Sequence, residues 1–501
     1  MTDTDVVIVG NGPIGATLSV LLAQRGWRVT VLERRPRPYR LPRATSFDGE
    51  TARLLAATGI GPELARITAP ANGYQWQTAD GQTLLDIAFT TDGPYGWPDA
   101  NTMHQPSLEE LIAARVQELP GITVLRGHEV VAIADGDAVV QVTATDADEV
   151  SRTISARWVV GCDGANSFVR EHLDVPVTDL GFSYEWLLCD VQLNEPREFV
   201  PTNVQICDPA RPTTLVGSGP GRRRWEFMRL PGENAAELNK DETAWRLMAP
   251  YGVTPETATL LRSTTYIFQA RWADRWRVGH VLLAGDAAHL MPPFAGQGMC
   301  SGIRDVTNLA WKLDLTLRGL ASESLLDSYG DERGEQAREA ILASVQLGRV
   351  ICVTDPAAAA ERDATVLANR RGKPAGRPEP AKPLTGGLRH ESPGAGVVVP
   401  QGRVRVGETT GLFDDVVGRG FVLLTTEESG SEFLSELGTH VVRLDETVDV
   451  DNVYRPFLAR FGAASLLVRP DYHVFGTAGP GGLDALVADL RDRLRAAVPT
   501  G

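Results

Sequence analysis

Paired cysteines, long apolar runs and an excess of positive charge are all missing from this sequence, and each absence narrows what the chain does. Its 501 residues include five cysteines (Cys162, Cys189, Cys207, Cys300 and Cys352), an odd number with no CxxC pair. That excludes a disulfide framework and suits a reducing cytosol. No stretch reaches the ~18 consecutive apolar residues of a membrane span, and the N-terminal "DVVIVG" is only strand-length. A cytoplasmic location with no membrane partner is expected. Lys and Arg total 49 against 64 Asp and Glu, a net charge of −15. Nucleic acid and anionic membranes, which reward basic surfaces, are therefore not the main partners. The eight histidines are dispersed, and none joins a Cys/His/Asp cluster at ligand spacing, so no metal site is expected. A G-x-S-x-G nucleophile elbow is absent too.

What is present has the length and the 43% hydrophobic content of a soluble chain with more than one core. "DVVIVG", an apolar helix from Gly15 to Gly26 and "RVTVLE" read as β-α-β. Residues 121–146 read as successive strands, and residues 176–270 alternate apolar and polar positions as an antiparallel sheet does. Residues 271–350 return to strand, turn and long helices. Residues 355–396 are rich in Ala, Pro and Gly and read as a linker with one helix near 357–370. The remainder suggests a small α/β domain.

"VVIVGNGPIGATLSVLLAQRGWRVTVLE" carries G-x-G-x-x-G directly after a strand, at the opening of a helix. Gly10 permits the tight turn, Gly12 lets the backbone approach a pyrophosphate, and Gly15 lets helix and strand pack closely. Pro13 and Ile14 complete the turn, and the first-turn N–H groups and helix dipole face a phosphate. Glu33 ends the second strand, 18 positions past Gly15, where a carboxylate accepts hydrogen bonds from ribose hydroxyls; Arg34 follows it. The acid disfavours a 2′-phosphate, so the site suits the AMP half of FAD, or NAD.

A second stretch, "VLLAGDAAHLMPPFAGQGMCSGIRDVTNLAWKL" (281–313), packs Gly285-Asp286, Pro292-Pro293 and Gly296-Gln297-Gly298-Met299 before a helix. The prolines stiffen the turn, and the glycines leave backbone N–H groups uncovered at a helix N-terminus. Fixed amides there suit the negative charge of a reduced flavin, which makes FAD the better reading than NAD. Asp286 reads either as a partner for ribityl hydroxyls or as an N-cap. Asp163-Gly164, in "CDGANSFVR", reads as a carboxylate turn at a ligand or as a plain turn.

These three motifs, in this order, resemble the signatures of the single-component FAD-dependent aromatic hydroxylases over residues 1–350. "CDPARP" (207–212), "RRRWEFMRLPGE" and "YGWPDANTMHQP" look closest to the 3-(3-hydroxyphenyl)propionate hydroxylase branch. The resemblance implies an α/β architecture. It comprises a discontinuous Rossmann-like FAD-binding domain (1–72, 103–175 and 271–354) and an inserted antiparallel-sheet substrate domain (73–102 and 176–270). After the 355–396 linker comes a thioredoxin-like domain (397–501), which holds no cysteine and so no thiol chemistry. It also implies flavin contacts at Arg43, Gln105, Asp163, Arg170, Asp286, Pro293, Gly296, Gly298, Asp305 and Asn308. Arg43 alone reads equally as a surface arginine, and Gln105 as a residue ahead of an N-cap.

The implied reaction is a monooxygenation. NAD(P)H, without a second dinucleotide fingerprint, reduces FAD transiently, and O₂ then yields a C4a-hydroperoxide that hydroxylates a phenolic, 3-hydroxyphenylpropionate-like ring. Catalytic positions are Pro293, Gly296 and Gly298 beside the flavin, and Glu226; a phenol needs a positioned proton acceptor, and the sequence does not assign one. His104, Tyr184, Gln205, Arg224 and Met228 fall in segments expected near the substrate. Glu226 and Met228 share one strand face, with Phe227 and Arg229 on the other. A propionate calls for a cation, and Arg211, Arg222, Arg223 and Arg224 are available. A hydroxylase or Baeyer–Villiger oxygenase of a polycyclic polyketide, and a flavin scaffold without turnover, are the alternatives. A homodimer is left open.

Overall fold

A computed structural model describes residues 2–39, 41–136, 138–370, 372–379 and 381–496. The strand Val6–Val9, the helix Pro13–Ala23 and the strand Val29–Glu33 form the expected β-α-β unit, with Val6 beside Val29 and Val9 beside Leu32. Val6–Val9 is buried throughout, as a central parallel strand must be. It lies inside a six-stranded sheet, flanked by Val29–Glu33 and then Ile122–Arg126 on one side. On the other side come Trp158–Gly161, Val281–Leu283 and Arg277–Val278. All pairings are parallel except the last. Chain order therefore reverses at the first strand, and a crevice opens beyond the C-terminal strand ends. Gly10, Cys162-Asp163 and Ala284-Gly285 emerge there, directly after their strands.

The eight-stranded sheet has the order His289–Leu290, Ala258–Ala273, Val177–Leu193, Arg222–Met228, Thr213–Gly217, Asn203–Ile206, Gly73–Gln77, Thr83–Ala88. Its period-two alternation separates two faces. Leu187, Cys189, Trp225 and Phe227 pack with Leu238, Ala244 and Met248 on the outside. Trp186, Leu188, Met228 and Phe268 pack inward with Trp76 and Phe294. Two departures from the expected boundaries follow from strand pairing. Ala100–Met103 pairs with Ser46–Asp48 and Thr68–Pro70 in a separate sheet, while His289–Leu290 joins the large one.

Residues 355–396 are more than a spacer. The helix Pro356–Arg370 places Val366 and Leu367 against the inward cluster. Gly376 then bridges to the sheet edge, its N–H donating to Asp86 O (2.8 Å) and its carbonyl accepting from Ala88 N–H (3.0 Å). The open ladder of an edge strand supplies those partners.

After residue 397 the order is Val422–Thr425, helix Glu432–Glu436, His440–Arg443, helix Tyr454–Arg460, Ser465–Val468, Val474–Ala478 and helix Leu483–Arg495. The sheet runs His440–Arg443, Val422–Thr425, Ser465–Val468, Val474–Ala478, with only the first pair parallel. This region is joined to the rest through a buried charge cluster. Arg469 binds Glu332 (2.7 Å) and Asp471 (2.6 Å), and Lys312 binds Glu332 (2.9 Å). Burial alone would push the Glu332 carboxyl up, but Arg469 and Lys312 outweigh it and hold it at about 2. Burial pulls Lys312 down to about 8 against the attraction of Glu332. Among the described residues no single helix is long and apolar enough to cross a membrane.

Arg469→Met leaves the buried Glu332 short of a partner, at a cost of about 3–5 kcal/mol. The expected result is a lowered urea midpoint for the whole chain, read by tryptophan fluorescence. An unchanged midpoint contradicts the cluster's role.

Candidate active site

Three chain segments meet in the crevice, and their glycines explain how. Gly10 has φ +101°, and a Cβ there would sit 2.4 Å from Cys162 O. At Gly12 a Cβ would meet nothing within 4 Å, because that side faces open space. The helix behind it starts without a side-chain cap. Gly15 does not line the space; it packs against Gly10 O and Ile8. Glu33 accepts from the N–H groups of Asn11 (2.9 Å) and Arg35 (2.8 Å). Asn11 Oδ1 is buried without a partner.

In the second segment, Asp163 accepts from Ser167 Oγ–H (2.5 Å) and Val169 N–H (3.1 Å). Burial pushes its carboxyl up, with those bonds opposing. Gly164 and Asp163 both face the crevice. Arg170 does not: it donates to Ala287 O (3.0 Å) and Ala165 O (2.9 Å), bracing the turn from behind.

In the third segment, Gly285 N–H donates to Asp305 (3.1 Å), which also binds His289 Nε2 (2.8 Å) and Arg333 Nε (3.0 Å). Asp305 is thus a buried brace. Asp286 faces the crevice with Arg43 3.9 Å away. Burial pushes the Asp286 carboxyl up and Arg43 opposes it. Gly296 has φ +64°, and the helix Gly298–Leu317 begins, like the first, with no side-chain cap. The Gln297 side chain is taken by Arg304 (2.9 Å) and Asp48 (3.2 Å). Gly302 seats the helix against the first one: a Cβ there would lie 2.6 Å from Ile14 Cδ1. Asn308 corrects the expectation placed on it. Its amide donates to Glu332 (2.7 Å) and Asp471 (2.8 Å), in the charge cluster and off the crevice.

One cavity of about 860 Å³ runs from Gly10, Gly12, Pro13, Ile14, Glu33 and Arg34 past Arg43, Asp286, Pro293 and Gly296–Met299 to the inner face of the eight-stranded sheet. There Gln205, Arg224 and Glu226 form the wall, as do Tyr74, Arg262 and Phe268. Pro378 and Glu379, from the segment after the 356–370 helix, close one side. Arg224 binds Asp190 (2.7 Å), lies 3.6 Å from Glu226, and donates to the carbonyls of Pro42 and Arg43 (both 2.7 Å). Arg262 donates to the same Pro42 carbonyl. Gln105 Oε1 accepts from the N–H groups of Arg43 (2.9 Å) and Ala44 (2.7 Å), so Gln105 shapes this loop. Burial pushes the Glu226 carboxyl up; Arg224 pulls it down and Asp190 adds to the rise, leaving a net upward displacement.

Several expected substrate residues lie elsewhere. His104 occupies the N-cap position of the helix Gln105–Gln117 without capping it by its side chain, and its Nδ1 lies 3.0 Å from Ser107 Oγ. Tyr184 packs edge-on against Phe182. Met228 is buried in the apolar cluster beside the wall. Arg211 binds Glu233 and Arg223 donates to Thr202 O, while Arg222 is not on the wall. Sequence reasoning missed Asp190, Arg262, Tyr74 and Gly302. The lone acid in "LLCDVQL" was the available signal for Asp190; Arg262 and Tyr74 carried none.

The sequence profile described as "FAD binding domain" matches residues 3–344, and that of the "HcaD C-terminal domain" matches 396–493. A "Probable NADH-specific resorcinol 4-hydroxylase" of Rhodococcus jostii is 40% identical over 99% of this chain and 95% of its own length. The chain belongs to the FAD-dependent aromatic hydroxylases. This hydroxylase is also 36% identical to a 3-(3-hydroxy-phenyl)propionate/3-hydroxycinnamic acid hydroxylase of Comamonas testosteroni, over 83% of the chain and 74% of the relative. Its fold is shared with aklavinone-11 hydroxylase in complex with FAD and aklavinone (24% identity, TM-score 0.78, 99% of each chain). The anhydrotetracycline hydroxylase OxyS of Streptomyces rimosus is similar as well (25%, TM-score 0.76, 97% of this chain and 98% of that one). FAD is the hydroxylase's cofactor. The open face at Gly12, the unpartnered Asn11 Oδ1 and two uncapped helix ends on one cavity fit it.

Gly12→Ala places a methyl in open space, so the apo fold keeps its melting temperature. FAD affinity, measured by flavin fluorescence, falls at least about tenfold, or ~1.4 kcal/mol. Gly10→Ala forces a positive φ and a backbone clash, and lowers the melting temperature itself. Full FAD affinity in the Gly12 variant contradicts the pyrophosphate assignment.

Proposed function

We propose that this hydroxylase uses NAD(P)H and O₂ to place a hydroxyl group on a phenolic ring, of the 3-hydroxyphenylpropionate or resorcinol type named for its relatives. The observation that carries the reading is Glu226, a buried carboxylate on the wall of the same cavity that Gly12 and Gly298 open onto. Bound FAD supplies hydride acceptance and oxygen activation. Gly10, Gly12, Pro13, Ile14 and the helix end behind them would hold the pyrophosphate, with Glu33 at the ribose. Arg43 and Asp286 would flank the ribityl chain, and Pro293, Gly296, Gly298 and Met299 the ring. Gln105 positions Arg43 through its backbone. Asp163 and Gly164 would border the pyrophosphate.

Glu226 accepts the proton of the substrate hydroxyl, which enriches the ring in electron density before oxygen transfer. Leu188, Phe268 and Phe294 give that wall an apolar lining, which would limit water beside the substrate ring. A polycyclic polyketide is the second reading, supported by the fold shared with aklavinone-11 hydroxylase. The region after residue 397 has the strand order and directions of a thioredoxin-like domain, and we read it as a structural one. The five free cysteines support a reducing, cytoplasmic setting.

Glu226→Gln retains FAD and lowers kcat/KM for a phenolic substrate by about 10²-fold or more. Glu226 works only when ionised, and its carboxyl is displaced upward. Activity is therefore lost, as pH falls, at a pH above the usual carboxylate range. That limb is absent in the Gln variant. The measurement is substrate-stimulated NAD(P)H oxidation with product detected by chromatography; an unchanged rate in the variant contradicts the role.

A further inference from the structure

The charges on the cavity wall are unevenly distributed. Arg34, Arg35, Arg37, Arg43 and Arg126 cluster around Glu33 and Asp286, at the dinucleotide end. Among the described residues, Glu379 adds a carboxylate at one side of the sheet end, whose only cations are Arg224 and Arg262, 2% and 7% exposed, held by Glu226 on the wall and by Asp190 behind it, 7% and 2% exposed. The four form one group: Arg224 to Asp190 at 2.7 Å, Arg224 to Glu226 at 3.6 Å, Arg262 to Asp190 at 3.9 Å. Both guanidiniums also serve the Pro42 carbonyl, so their positions are fixed by the loop and not by a ligand. Two cations against two carboxylates leave the group balanced.

We infer that the substrate chamber is built for an uncharged phenol and discriminates against a ring that bears a carboxylate. The inference rests on the hydroxylase reading above. A neutral phenol donates its hydroxyl hydrogen to Glu226 and leaves the group balanced. A propionate adds a negative charge that no cation of that wall is free to meet among the described residues, in a place where an unpaired charge is costly. The remaining polar groups do not repair this. Gln205 spends its amide N–H on Thr213 O (3.0 Å), and its carbonyl accepts from Thr214 Oγ–H (2.6 Å). Arg211 is bound to Glu233, and Arg223 lies over the Phe199 ring at 3.6 Å, away from the cavity. The other polar residues of that wall, Tyr74, Asn203, Thr214, Tyr266 and Gln269, carry no charge, and Leu188, Phe268 and Phe294 are apolar.

The test is a matched pair: 3-(3-hydroxyphenyl)propionate and its primary amide, equal in shape and different in charge, with resorcinol as a small neutral ring. With the FAD-loaded enzyme at neutral pH, the amide is expected to exceed the acid in kcat/KM by about tenfold or more. In Glu226→Gln, which removes one negative charge, the Kd of the acid read by flavin fluorescence is expected to tighten relative to the amide. An acid that matches or outperforms the amide in the unaltered enzyme overturns the inference and leaves the hydroxylase reading standing. An FAD-loaded enzyme whose NAD(P)H oxidation responds to none of the three, nor to other phenols, overturns the hydroxylase reading and the inference with it.

Discussion

The site depends on one close approach, between Gly302 of the Gly298–Leu317 helix and Ile14 of the first helix. There is no room for a side chain between them: Ile14 also presses on Gly285, the residue before the cavity-facing Asp286. This packing fixes two helices from opposite ends of the FAD-binding region so that both uncapped N-termini open onto one cavity. Each such terminus carries N–H groups with no intrahelical acceptor. Arg304, tied to Asp48 and Glu50, and Asp305, tied to His289 and Arg333, lock the arrangement without entering the cavity.

A second constraint links the cofactor end to the eight-stranded sheet through a single peptide. Arg43 is gripped by its N–H from Gln105 and by its carbonyl from Arg224, while its side chain approaches Asp286. Arg224 is also the neighbour of Glu226. Glu226 on the sheet and the Arg43 loop beside Asp286 thus share Arg224 as a fixed element.

What was legible in the sequence was local. The glycine spacing after Val9, the acid at Glu33, the Pro-Pro and Gly-x-Gly run before Gly298, and the strand faces around Glu226 all follow from short-range rules. What was not legible depended on where a side chain finds its partner. Asn308 is ten residues into its helix, about 15 Å from the end that opens on the cavity, and it turns to Glu332 and Asp471 instead. Arg170 and His104 are near the right turns, but Arg170 spends its guanidinium on the carbonyls of Ala165 and Ala287, and His104 its ring on Ser107. Arg262 gave no local sign; only the pairing of the two longest strands brings it beside Asp190. The Pro- and Gly-rich 355–396 segment reads as a spacer because strand addition at Gly376 depends on an edge nearly 300 residues upstream in the chain.

That strand addition has a consequence for how such chains diversify. Pro378 and Glu379 reach the cavity through backbone bonds from Gly376 to Asp86 and Ala88, backed by one side-chain pair, Arg370 with Asp86 (3.3 Å), so most of that attachment does not depend on which side chains the edge carries. Exchange of the C-terminal third between relatives would carry one panel of the cavity with it, and would reshape that space without touching any residue of the sheet.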